Sequence, residues 1–153
     1  MATIKSEVQT ANTLTTTQTS LGTLASATYL ASETITHSTN DPLDVLIEVM
    51  VQSTNTPAGN KQVVIFAKGS LDGSTFGSGP ESSTTTTDEP DLHYVGSIPI
   101  NTASTQHRKI FSLAAAYGGV LPVATKLVFK NDLGVALTTG ATVKYSEVWG
   151  VAV

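Results

Sequence analysis

From Leu43 to Val153 apolar and polar residues alternate in one stretch after another, and clusters of Gly, Pro, Asp, Ser and Thr separate the stretches. A two-residue period places successive side chains on opposite faces of a strand, whereas no stretch carries the three-and-four spacing of an amphipathic helix. The clearest strand begins at Leu43: Leu43, Val45, Ile47, Val49 and Val51 form one apolar face, while Asp44, Glu48 and Gln52 mark the other. That second face is itself partly apolar at Leu46 and Met50. Gln62 to Lys68 repeats the theme, with Val63, Ile65 and Ala67 on one side and Val64 and Phe66 on the other. Strands apolar on both sides belong in the middle of a layered structure. Leu92 to Ile100, Arg108 to Leu113, Val123 to Lys130 and Val143 to Val153 follow, and Ala114 to Gly119 reads as a tight connection or a single helical turn.

Toward the N-terminus the alternation weakens. Ile4, Ser6 and Val8 precede the low-complexity run Thr13 to Ser20, so residues 1–22 read as an arm or an edge strand. A short strand around Thr28 to Leu30 ends at the turn signal Ser38-Thr39-Asn40-Asp41-Pro42. Residues 69–91 form a polar loop with Asp72-Gly73, Gly79-Pro80, a threonine run and Asp88-Glu89-Pro90-Asp91. A loop of that length has a function or lacks order, and this one is expected to project from the body. About eight strands in all predict an all-β chain: one antiparallel β-sandwich domain over 23–153, wired as a jelly roll, with an extended N-terminal arm.

Composition adds a tendency to assemble. Thr and Ser make 40 of the 153 residues, and charged residues are only 13% against roughly a quarter in an ordinary soluble protein. An exterior poor in charge loses little hydration when identical neighbours cover it. With a net charge of −4 and eight Lys plus Arg, the chain lacks the clustered cations of a phosphate-tracking surface, so nucleic acid is not an expected partner. No apolar run approaches 18 residues, and residues 1–20 lack the apolar core and cleavage pattern of a signal peptide. The expectation is synthesis in a cytosol and no membrane span.

Candidate chemistry is sparse. Without cysteine there is no disulfide, thiolate metal site or cysteine nucleophile. His37, His93 and His107 are scattered, and a zinc site would need all three to converge. Asp72, Asp88, Glu89 and Asp91 lack calcium-loop spacing and read as a solvated acidic loop. No Gly-x-Ser-x-Gly elbow is present, and Gly69 to Ser74 lacks the Gly-Lys ending of a phosphate loop. No catalytic, cofactor or metal residue is assigned, and no enzyme is expected. Glu147 falls among Val143, Tyr145, Trp149, Val151 and Val153, so it is either paired or part of an interface with a polar spot. Tyr29, Tyr94, Tyr117 and Trp149 are the candidates for a sugar-stacking platform.

Four segments carry a resemblance: Gly69-Ser-Leu-Asp-Gly-Ser-Thr-Phe76, Phe111-Ser-Leu-Ala-Ala-Ala-Tyr-Gly-Gly119, Lys130-Asn-Asp-Leu-Gly134 and Lys144-Tyr145. They resemble small structural proteins of tailed bacteriophages, across nearly the whole chain, and are turn and packing signatures without catalytic residues. The resemblance implies a jelly-roll virion protein of the type that decorates or cements the head, made in the host bacterial cytoplasm and located on the capsid surface. Its expected partners are the major capsid protein and copies of itself, a trimer being favoured, with Ile4, Val8 and Leu14 as contact candidates. A carbohydrate-binding or adhesin module recognising host glycan, and a tail or baseplate subunit, are the alternatives.

Overall fold

The computed structural model describes residues 3–14, 21–37, 41–81 and 88–152. Most of the threonine-rich run, the Ser38-Thr39-Asn40 turn, Thr84 to Thr87 and Val153 lie outside the described residues. Nine strands are described: β1 (Ile4–Val8), β2 (Asn12–Leu14), β3 (Tyr29–Thr36), β4 (Asp44–Val51), β5 (Gln62–Ser70), β6 (His93–Pro99), β7 (His107–Ser112), β8 (Ala124–Asn131) and β9 (Thr142–Ala152). One short helix, α1 (Leu113–Ala116), follows β7, and the Ser112 hydroxyl caps it by accepting from the Ala115 N–H at 3.1 Å.

The strands form two antiparallel sheets, one ordered β1-β9-β4-β7 with β2 also on β9, the other β3-β8-β5-β6. The chain is therefore all-β, with the layering of a β-sandwich. Val45, Ile47, Val49 and Val51 of β4, Phe111 of β7 and Val143 of β9 share one core with Val63, Ile65 and Ala67 of β5, Leu127 and Phe129 of β8 and Ile98 of β6. Each fully buried aliphatic or phenyl group there contributes about 1.5–3 kcal/mol. At the end of β8, buried Asn131 donates to the carbonyls of Leu24 and Val135 and accepts from the Leu133 N–H, tying the segment before β3 to the turn after β8.

The N-terminal segment lies along β9 of its own chain. Ile4 opposes Ala152, Val8 opposes Val148, and β2 continues the same edge with Leu14 opposite Val143. Strand β3 is longer than the Thr28 to Leu30 expected from sequence. A register shift between Ala31 and Thr34 interrupts its alternation, and buried Ser32 is satisfied there because its hydroxyl donates to the Glu33 carbonyl and accepts from the Leu127 N–H.

The described part of the long loop does not project. Its first turn is closed by Asp72, whose carboxylate accepts from the Ser74 and Thr75 N–H groups and the Ser70 hydroxyl and is thereby held far below the usual carboxylate range. Beyond that turn Glu81 and Glu89 are tied to lysines on the outer face of the four-stranded sheet. There Leu92 joins Tyr29, Ala31, Val64, Phe66 and Val128 in a second, smaller apolar cluster. The physical reason is that this sheet is apolar on both faces and its outer face needs a cover.

Candidate interaction surface

The two outward faces of the sandwich differ in what covers them. On the four-stranded sheet, Lys68 is 3% exposed and pairs with Glu81, which also lies 3.6 Å from the Lys126 ammonium. The Ala31 N–H donates to the Glu81 carbonyl, and Phe76 lies under the Lys126 ammonium at 4.7 Å. At the loop's other end Glu89 accepts a hydrogen bond from the Tyr29 hydroxyl and pairs with Lys130 at 2.7 Å. The bond to Lys68 holds the Glu81 carboxyl below its ordinary value against the effect of burial. Burial works against the charge on Glu89 too, but Lys130 and Tyr29 outweigh it and lower its pKa. Burial, and then the Glu89 carboxylate, push the Tyr29 hydroxyl up.

Nothing comparable covers the five-stranded sheet among the described residues. The alternation that sends Val45, Ile47 and Val49 inward sends Leu46, Glu48 and Met50 outward, and the register places Ile110 of β7 and Lys144 of β9 on either side of Glu48. Val8 and Val148 oppose each other on the same side. Ile4 is 72% exposed, Val8 58% and Ile110 59%. In the middle of this apolar face the Glu48 carboxylate sits 3.6 Å from Arg108, with Lys144 directly across the strand pair. A depression of about 380 Å³ runs between Val8 and Ile110 with these three charged groups on its floor. The surface thus combines exposed aliphatic groups, a charge set that contains its own ion pair, and an outer edge of β1 on which no described strand pairs.

Of the contact candidates read from sequence, Ile4 and Val8 lie on this exposed face, while Leu14 is buried in the core cluster. Leu14 points inward because its partner across the ladder, Val143, is an inward residue of β9. Ile110, on the β7 edge of the exposed face, was not among the candidates, although the order Arg108, Ile110, Ser112 against Lys109, Phe111, Leu113 carries the signal.

The other candidates stay apart. His37 is buried with its Nε2 3.1 Å from the Thr125 hydroxyl, His93 packs on Tyr117, and His107 begins β7. Among the described residues no three His, Cys, Asp or Glu side chains gather in a way that could hold a metal ion. The four aromatic candidates do not form one platform: Tyr29 is buried beneath the loop, Tyr94 packs edge-on against Phe66, and the Trp149 indole N–H donates to Glu147 at 2.8 Å on the inward side of β9. Glu147 therefore has a partner on that face.

The chain matches no protein-family model and no curated protein. At the level that fold and surface define, it is an all-β protein of two antiparallel sheets, one with a covered outer face and one whose outer face no described segment covers.

Proposed function

We propose that the chain is a virion structural protein of the head-decoration type, which acts through surfaces and catalyses no reaction. The observation that carries this reading is the uncovered outer face of the five-stranded sheet, with Ile4, Val8 and Ile110 exposed around Glu48, Arg108 and Lys144. Exposed aliphatic groups grouped on one face mark an interaction site rather than ordinary surface. The resemblance to small tailed-phage structural proteins supports the setting, and the low content of charged residues supports assembly among identical copies.

Jelly-roll wiring belongs to the same proposal. Taking β1 and β2 as one edge unit, the strand orders 1-9-4-7 and 3-8-5-6 are what two interleaved Greek keys produce. In this reading the chain self-associates, as a trimer, and sits on junctions between major capsid subunits, with the free edge of β1 serving as the arm. An unpaired edge accepts a neighbour's strand through backbone hydrogen bonds and tolerates polar side chains.

Light scattering on the purified full chain, followed by sedimentation with empty heads built from the major capsid protein, tests it. A mass three times 15.9 kDa and sedimentation with heads are expected, both lost in the Val8→Lys, Ile110→Lys double variant. Binding to isolated tails but not heads would move the protein to the tail or baseplate. A monomer that binds neither, or a double variant that binds as well as the parent chain, would overturn the reading.

A further inference from the structure

A second site lies at one end of the sandwich and shares no residue with the outward face just described. The end of β5, the start of the long loop, Asp91, His93 and the connection from α1 to β8 enclose a cleft of about 350 Å³. One wall is aromatic: the His93 and Tyr117 rings have centroids 4.7 Å apart and are tilted by 57°. Tyr117 is fixed from behind, since its own N–H and that of Gly119 both bond to the Ala114 carbonyl. The Tyr117 hydroxyl is buried on the Thr125 side, away from the cleft mouth, and burial pushes it up to about 12. Only the ring is therefore available to a ligand. Pro122 and Leu121 supply an apolar floor, and Gly69 is what lets Pro122 sit so close, because a Cβ there would lie 2.9 Å from the proline ring. At the rim stand Leu71 and Val120, 86% and 77% exposed, the most exposed large aliphatic side chains described.

The polar content of the cleft narrows the ligand. The Lys68 ammonium, which also lines it, is held by Glu81 and offers no free cation to an anionic group. Asp91 is exposed and makes no side-chain hydrogen bond or ion pair among the described residues. A free carboxylate beside an aromatic and prolyl surface suits a molecule with one apolar face and a rim of hydroxyl donors. It repels phosphates and acidic sugars, and a wholly apolar ligand would desolvate it without return. We propose that this cleft binds a neutral pyranose unit of a glycan: the sugar's C–H face lies on His93, Tyr117 and Pro122, and adjacent hydroxyls donate to the Asp91 carboxylate. The volume is at the small end of the range for ligand pockets and fits one or two rings.

Heteronuclear NMR on the full chain, titrated with the methyl glycosides of glucose, galactose, mannose and N-acetylglucosamine and with their short oligomers, tests this. At least one probe is expected to shift the signals of His93, Tyr117 and Leu121 together, with a dissociation constant on the order of millimolar for so small a ligand. Asp91→Asn is expected to weaken that probe at least about tenfold, the effect of losing a hydrogen bond to a charged group. His93→Ala, at a second exposed position, is expected to weaken it as well without unfolding the chain. No shift with any probe, shifts centred outside the cleft, or unaltered binding by Asp91→Asn would each overturn the proposal. Loss of capsid binding in the outward-face variant leaves this titration unchanged, so the two readings fail independently.

Discussion

Lys68 on the outer face of β5 and Glu81 in the long loop form an ion pair whose lysine is almost wholly buried and whose glutamate is half exposed. Removing the glutamate leaves a buried ammonium with no carboxylate partner. Breaking a fully buried pair costs about 3–5 kcal/mol, and solvent access to Glu81 reduces this, so Glu81→Ala should cost about 1–3 kcal/mol. Lys68→Met, which removes the charge and keeps the aliphatic stem, should cost less. Chemical denaturation of both variants checks the order, and equal or reversed costs would show that the pair does not hold the loop.

Acid should release the loop before it unfolds the sandwich. Glu81 and Glu89 both have carboxyl pKa values below the ordinary range in the folded chain, because Lys68 and Lys130 stabilise their charged forms. A carboxylate with a lowered folded pKa contributes stability above its unfolded value near 4.3, and loses it as pH falls through the folded value. Protection of the Ala31 amide, which donates to the Glu81 carbonyl, should therefore drop as the pH is taken below about 4.3, while amides between β4 and β9 stay protected. Simultaneous loss of both would show that loop and sheets open as one unit.

His37 gives a second pH dependence in a higher window. Burial lowers its pKa, and the nearby Glu147 carboxylate offsets this only in part. The unfolded chain then binds a proton more readily than the folded one below about pH 6.5, so stability contributed at neutral pH is lost as pH falls through that value toward the lowered one. The thermal midpoint of the native chain should fall between pH 7 and pH 5, and His37→Gln should flatten that slope. A slope of the same size in the variant would assign the titration elsewhere.

Much of the architecture was legible because it follows from the pleat. The inward set Val45, Ile47, Val49 and Val51 and the two-sided apolar character of β5 are direct consequences of burial on one face or on both. What escaped was set by long-range contacts that leave no periodic trace. β3 is hidden by the Ala31/Thr34 register shift and by Ser32, whose burial depends on Leu127 almost a hundred residues away. The long loop looks projecting because its anchors, Phe76, Glu81, Glu89 and Leu92, are scattered among Ser, Thr, Gly and Asp, and their partners Lys68, Lys126 and Lys130 lie on β5 and β8. The end cleft was invisible for the same reason: His93 on β6 and Tyr117 after α1 are separated by the whole of β7 and meet only when β6 and α1 are both in place.

At the open side of the core, Gly96 of β6 faces the ring of Phe111 on β7, in the opposite sheet. Sheets pack about 10 Å apart, and a phenyl group near the edge fills that distance only if the residue opposite has no side chain. A methyl group on Gly96 would press on the Phe111 ring edge, and Phe111 is confined on its other side by the Lys109 ammonium over its face at 5.2 Å. Gly96→Ala should therefore cost about 1–3 kcal/mol by overpacking. For a domain of this size that lowers the thermal midpoint by about 2–4 °C per kcal/mol. Phe111→Leu alone should also destabilise by leaving a cavity, yet in the Gly96→Ala background it should recover part of the loss, since the smaller side chain makes room for the methyl group. A double-mutant cycle measures this directly: non-additivity of about 0.5 kcal/mol or more, with the double variant more stable than the sum predicts, is the expected result. Strict additivity would mean that the sheets relax around the new methyl group and that Gly96 is needed for its backbone rather than for its missing side chain.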